Sequence, residues 1–328
     1  MKKTFILGAA LAAACAFTTT TFTSCDNDDP VVTPGTQDDA DLDYTASNAT
    51  AWGNYMKNVA ALLKSDAEKL YSQWAESYEN AGVNTGVPYA TLFKNHDSRS
   101  GYSTVNSCAQ EIVEKMAEIA NEVGSSKIGD PYAKWTSGKQ TEALYAVESW
   151  YSWHSRDDYT NNIKSIANAY YGKLNGSESN MAEASMAKAL EGTAIDRTVR
   201  KQIADAQAAI QNITQPFRNH IGSTEAQQAM EACAALQASL SEVTNDEDEV
   251  EAGAAAVNLR DAVLKLDEAT LQAIINNYVD NVVVPTYKNL KEQNTILYQT
   301  VNAFVANPSN DGFEACATAW MNARQPWE

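Results

Sequence analysis

His154 and Asp157 stand three residues apart, and His154 to Asp158 is one helical turn. An imidazole and a carboxylate at that spacing share a helix face and can hold a divalent cation, iron or zinc among them. Glu148 and Glu122 would supply further ligands if the chain between them folds back, so His154, Asp157, Glu148 and Glu122 are the candidate metal set. Trp150 and Trp153 lie outside any clear apolar stripe. With Asp130 they are candidate contacts for a flat ligand such as haem or a sugar. The competing reading is local: Ser155 caps a helix, Asp157 and Asp158 favour its dipole, and His154 sits at the entry. Glu118 and Glu122 also pair at i,i+4, a spacing that more often marks a solvated face than acid/base chemistry. No H-E-x-x-H, G-x-S-x-G or P-loop occurs, and no histidine has a motif pairing it with a nucleophile, so no catalytic residue is singled out.

These residues fall within Glu111–Gly172, where two amphipathic stretches flank a Gly/Pro-rich connection. Apolar residues recur at three- and four-residue spacing through most of the chain, and alternating β-branched runs are few, which predicts an all-α protein. A first helix is expected from Ser47 to Asn80, with Trp52, Tyr55, Met56, Val59, Leu62, Leu63, Ala67, Leu70 and Trp74 on one face. A loop over Val83 to Tyr102 leads to a helix over Thr104–Val123, with Gly124 at its C′ position and a non-helical break to Gly138. Further helices are expected over 141–150, 155–172, 181–190, 196–213 and 224–243. The acidic run NDEDEVEAG at Asn245–Gly253 is the predicted domain boundary. After it comes a helical stripe over Asp267–Ala306, kinked or broken at Pro285, and a last helix started by Ser309. The expected division is a bundle over 45–243, an acidic linker over 244–266 and a helical hairpin over 267–328. That hairpin cannot bury both its stripes alone and reads as part of a second, incomplete bundle.

The 328 residues carry 42 acidic and 24 basic side chains, a net charge of −18, with no basic cluster interleaved with aromatics. Nucleic acid is therefore not an expected partner. Lys2 and Lys3 precede an apolar run and then Phe22-Thr23-Ser24-Cys25, the pattern of an export signal over 1–24 rather than a membrane span. A cysteine in that place resembles a bacterial lipobox and makes Cys25 the expected lipidation site. The acidic, Pro- and Thr-rich 25–44 stretch is the expected tether. A lipid anchor would place the protein in the cell envelope, on the outer membrane, facing either the periplasm or the outside. Cys108, Cys233 and Cys316 have no paired spacing and read as small core residues.

Several segments resemble a family. AWGNYMKNVAALLKSDAEKLYSQW, NEVGSSKIGDP, VESWYSWHSRDDYTNNIKSIANAYYG and the later QPF are similar to the second half of the imelysin-like lipoproteins of Bacteroidetes. YVDNVVVPTYKNL and AWMNARQPWE are similar to the beginning of that family's first half, so the order is permuted, or the chain is a fragment or a tandem product cut short. The family's G-x-H-x-x-E signature is absent, since none of His96, His154 and His220 has the required neighbours. The resemblance implies a two-bundle helical lipoprotein linked to iron uptake. Its expected partners are the membrane, through Cys25, and iron- or haem-uptake components; its expected cargo or cofactor is iron or another divalent metal. A non-catalytic binding protein is the first reading. A surface metallopeptidase of the imelysin type and an interaction bundle without a small ligand are the alternatives.

Overall fold

The computed structural model describes residues 45–149, 152–241 and 258–328. The expected leader over 1–24, Cys25, the tether, Trp150 and the linker as far as residue 257 lie outside the described residues. In chain order the helices are α1 (Ala49–Ala75), α2 (Tyr89–Lys94), α3 (Val105–Asn121), α4 (Gly129–Thr136), α5 (Gln140–Ala146), α6 (Ser155–Tyr171) and α7 (Met186–Ala189). They continue with α8 (Ala194–Asn212), α9 (Thr224–Leu240), α10 (Leu259–Val263), α11 (Glu268–Tyr278), α12 (Val284–Ala306) and α13 (Asn310–Arg324). Among the described residues the only sheet is a two-residue antiparallel ladder, β1 (Glu79–Asn80) with β2 (Val83–Asn84). The all-α expectation holds. None of these helices is long and apolar enough to cross a membrane.

The chain forms two compact units. The first contains Phe93–Val282 and Glu328. Its centre is α3, which packs on α6, α9, α10 and α11. Thr104 caps α3 in a reciprocal box with Ser107, satisfying backbone donors that a helix start leaves open. Cys108, Ile112, Val113, Met116 and Ala120 then come at helical spacing and are all buried. Gly172 closes α6 at φ 66°, the left-handed position expected of a C-cap glycine.

Three expectations are corrected in this unit. The chain does not break at Gly124: α3 runs on into a π-helical segment over Glu122–Ile128 and then into α4. A Cβ on Gly124 would meet the Cβ of Cys233 at 2.7 Å, so glycine there serves close packing on α9 rather than a helix end. The stretch from 258 to 266 is not linker, because α10 buries Leu259 and Val263 completely and packs on α3. Finally, α11 belongs to this unit rather than to a C-terminal hairpin, with Leu271 and Ile275 fully buried.

The second unit contains Val283–Trp327 and, among the described residues, those from 45 to 92. Here α1 packs along α12, and α13 packs on α12. The first helix therefore joins the end of the chain, not the bundle next to it in sequence. Its buried positions, Gly53, Ala60, Ala67 and Trp74, recur every seven residues. Small residues at that repeat let α12 come close: a Cβ on Gly53 would lie 2.9 Å from Val305 Cγ1. The helix also ends at Ala75 rather than Asn80, where the chain turns into the β1–β2 ladder. Ser309 caps α13 as expected, accepting from the Gly312 amide.

Candidate functional site

The loop Val147–His154 joins α5 to α6 in the first unit. Within it Ser149 (φ 58°) and Trp153 (φ 62°) hold left-handed backbone that L side chains rarely adopt. The surroundings over-determine this shape. The Ser152 and Trp153 amides both donate to the Ser149 carbonyl, and the Ser149 hydroxyl donates to buried Asp158 at 2.7 Å. His154 occupies the N-cap position of α6 without a capping side chain. Ser155 is not the cap either, since its hydroxyl donates to the Glu148 carbonyl. Asp157 and Asp158 do sit in the first turn, and their amides donate to the His154 carbonyl.

The strained loop presents Trp153 to solvent, 54% exposed, with the Arg218 guanidinium 5.1 Å from the ring centre. A cation at that range favours the indole face and orders the side chain. Beside it, His154 Nδ1 lies 3.5 Å from Asp157 Oδ2, so the expected imidazole–carboxylate pair is present. Asp157 is also held by Gln215, whose Nε2 donates to both carboxylate oxygens at 3.2 Å.

The rest of the expected metal set does not converge. Glu148 turns inward to Lys127, with Nζ 2.9 Å from its Oε2. Lys127 is nearly buried, and its ammonium also donates to Asn162 Oδ1 at 3.1 Å and lies 3.9 Å from Glu328. Asn162 in turn donates to Glu328 at 3.1 Å, while the Tyr159 hydroxyl donates to the Lys127 carbonyl. Burial pulls Lys127 down, but Glu148 and Glu328 outweigh it and hold the ammonium above its ordinary range. Burial, helped by Glu148, drives the Tyr159 phenol well above its own. A carboxylate committed to a buried ammonium is a poor metal ligand. Asp130 is paired with Lys134 one turn along α4, and Glu122 opens the π-helical segment. Among the described residues no group of three or more His, Cys, Asp or Glu is placed to hold a metal ion. The residues present therefore fit a flat, stacking ligand at Trp153 better than a bare cation.

Lys127, Asn162, Tyr159 and Arg218 were not among the expected site residues. The one signal for Lys127 was a lone cation next to Ile128, in a segment that reads as a polar break.

The imelysin family model (peptidase M75) matches residues 26–243. Among solved structures, an imelysin peptidase from Bacteroides ovatus is 49% identical with a TM-score of 0.77, over 88% of this chain and 78% of that one. A protein from Parabacteroides distasonis, assigned as an iron-regulated protein A precursor, is 37% identical with a TM-score of 0.49, over 53% of this chain and 50% of that one. No curated protein matches.

Proposed function

The chain belongs to the imelysin family, and from that premise we propose that it is a lipid-anchored protein of the cell envelope that binds haem, or an iron complex of similar flat shape, without transforming it. The observation that carries this reading is Trp153: an exposed indole, held in left-handed backbone, with a guanidinium on one side and His154 next to it in sequence. An aromatic that costs backbone strain to expose is more readily explained by a contact than by packing. The indole offers a stacking face, Arg218 a cation for a propionate-like carboxylate, and His154 a nitrogen for an axial position. Cys25 and the acidic stretch after it support the anchor.

Absorbance titration of the purified chain with haem tests the binding step. Saturable binding is expected, weakened about tenfold by Trp153→Ala, the loss of one stacking contact. Binding indifferent to Trp153→Ala and His154→Ala would remove this site. The relative from Bacteroides ovatus is described as a peptidase. Peptide cleavage by this chain that a chelator abolishes would replace the binding reading with that one. Fatty-acid labelling lost in Cys25→Ser tests the anchor separately.

A further inference from the structure

An open groove of about 940 Å³ runs in the first unit between α6, the turn after Gly172 and α8, and only Asp157 is common to it and the site around Trp153. That volume is in the range of small-molecule pockets, roughly 300–1,000 Å³. Its lining differs from the usual apolar pocket. The only apolar side chains in it, besides the buried Tyr171, are Ala167, Ile203 and Ala204. The side chains of Asn161, Lys164 and Gln207 line it with no hydrogen bond or ion pair to any described residue. Arg197 engages one nitrogen, Nη1, on the Gly192 carbonyl and has its other donors to offer. Arg200 is fixed by Asp196 at 2.6 Å and by the Ala187 carbonyl at 3.2 Å, yet its buried Nη1 has no partner. A buried donor left unmade costs free energy that an incoming oxygen, from ligand or water, would recover.

We propose that this groove binds a carboxylate-bearing saccharide of the uronic-acid class. Its carboxylate meets Lys164 and Arg197, and its hydroxyls meet Asn161, Gln207 and Glu178. The amides each present a donor and an acceptor, the pattern a vicinal diol needs. Glu178 and Asp157 accept from hydroxyls and repel a densely phosphorylated polyanion. A neutral sugar fits less well. Tyr171 is buried with Arg200 over its ring at 5.5 Å, so no stacking platform faces the groove, and the two cations would go unused. The inference does not depend on the haem reading, because it concerns different side chains and a different ligand.

Calorimetric titration of the chain with glucuronate, against glucose, acetate and sulfate at matched ionic strength, tests it. Saturable heat with glucuronate is expected, with the other three about tenfold weaker or silent. The double variant Lys164→Gln, Arg197→Gln should lose about tenfold in glucuronate affinity, the worth of a charge-assisted contact. Gln207→Leu should also weaken glucuronate, which a purely electrostatic surface would not show. Circular dichroism checks that each variant stays folded. Sulfate or acetate binding as tightly as glucuronate would reduce the groove to a bare anion surface and overturn the proposal. So would an equal response to glucose, or a double variant that binds as the parent does.

Discussion

In the first unit the helices bury their largest side chains outright: Tyr159, Tyr170, Phe217, Ile112 and Ile163 are all at most 2% exposed. The second unit is held by Ala60, Leu297, Val301, Cys316, Ala319 and Ala323, mostly small residues. Its first helix leaves Tyr55, Val59, Leu62 and Leu63 more than a third exposed. Both units rest on apolar stripes of similar look in the sequence. The difference lies in what covers them: α3 is surrounded by four helices, whereas α1 is packed along a narrow seven-residue repeat. An apolar stripe thus reports that a helix is amphipathic, not how much of its face is covered.

Substitutions put this contrast at risk in measurable ways. The largest effect is expected for Phe217→Ala, which empties a site packed edge-to-face on Tyr159 at 5.9 Å. It should lower unfolding free energy by about 3–5 kcal/mol in a denaturant titration. Gly124→Ala comes next: the added methyl meets Cys233 and the Met230 carbonyl, so a cost of about 1–3 kcal/mol is expected. Little cost would mean that α9 gives way more easily than its packing implies.

A smaller effect depends on pH. Burial raises the Glu111 carboxyl, against the opposing pull of Lys115. The folded chain therefore keeps this proton to higher pH than the unfolded chain does. Stability is lost as pH rises from the ordinary carboxylate range, near about 4.3, through the raised folded value. Glu111→Gln should flatten that fall, read as a smaller change in urea midpoint between about pH 4 and about pH 7. The smallest effect is expected for Leu62→Ala, within about 0.5 kcal/mol of the parent. A loss as large as that of Phe217→Ala would erase the distinction between the two units.

Much of the helical plan was legible from local signals. Thr104, Gly172 and Ser309 mark helix ends by their own chemistry, and the His154–Asp157 pair results from spacing along one turn. What was not legible depends on distant partners. Nothing near α1 says that its neighbour is α12, because that pairing joins residues more than two hundred positions apart. Glu148 looked like a metal ligand because Lys127 lies 21 positions earlier, in a segment whose glycines and serines read as a break. Glycine has two structural uses, turning a chain and letting helices touch, and sequence alone favoured the wrong one at Gly124. Trp153 was singled out because it fitted no stripe, and it is exposed.

The π-helical segment over Glu122–Ile128 has an evolutionary consequence. Its ladder skips one residue more than an α-helix does, so the chain carries one residue beyond what straight helical geometry requires. Point substitution cannot easily undo this; a deletion can. Removing Ser125 would let the ladder close in ordinary α register and turn the downstream helix by about 100° relative to α3. Lys127 would swing away from Glu148, and α4 would leave its seat. The place of the buried cation is thus written in the length of the chain as much as in the identity of its side chains. Insertions and deletions in this segment should be rarer among relatives than substitutions.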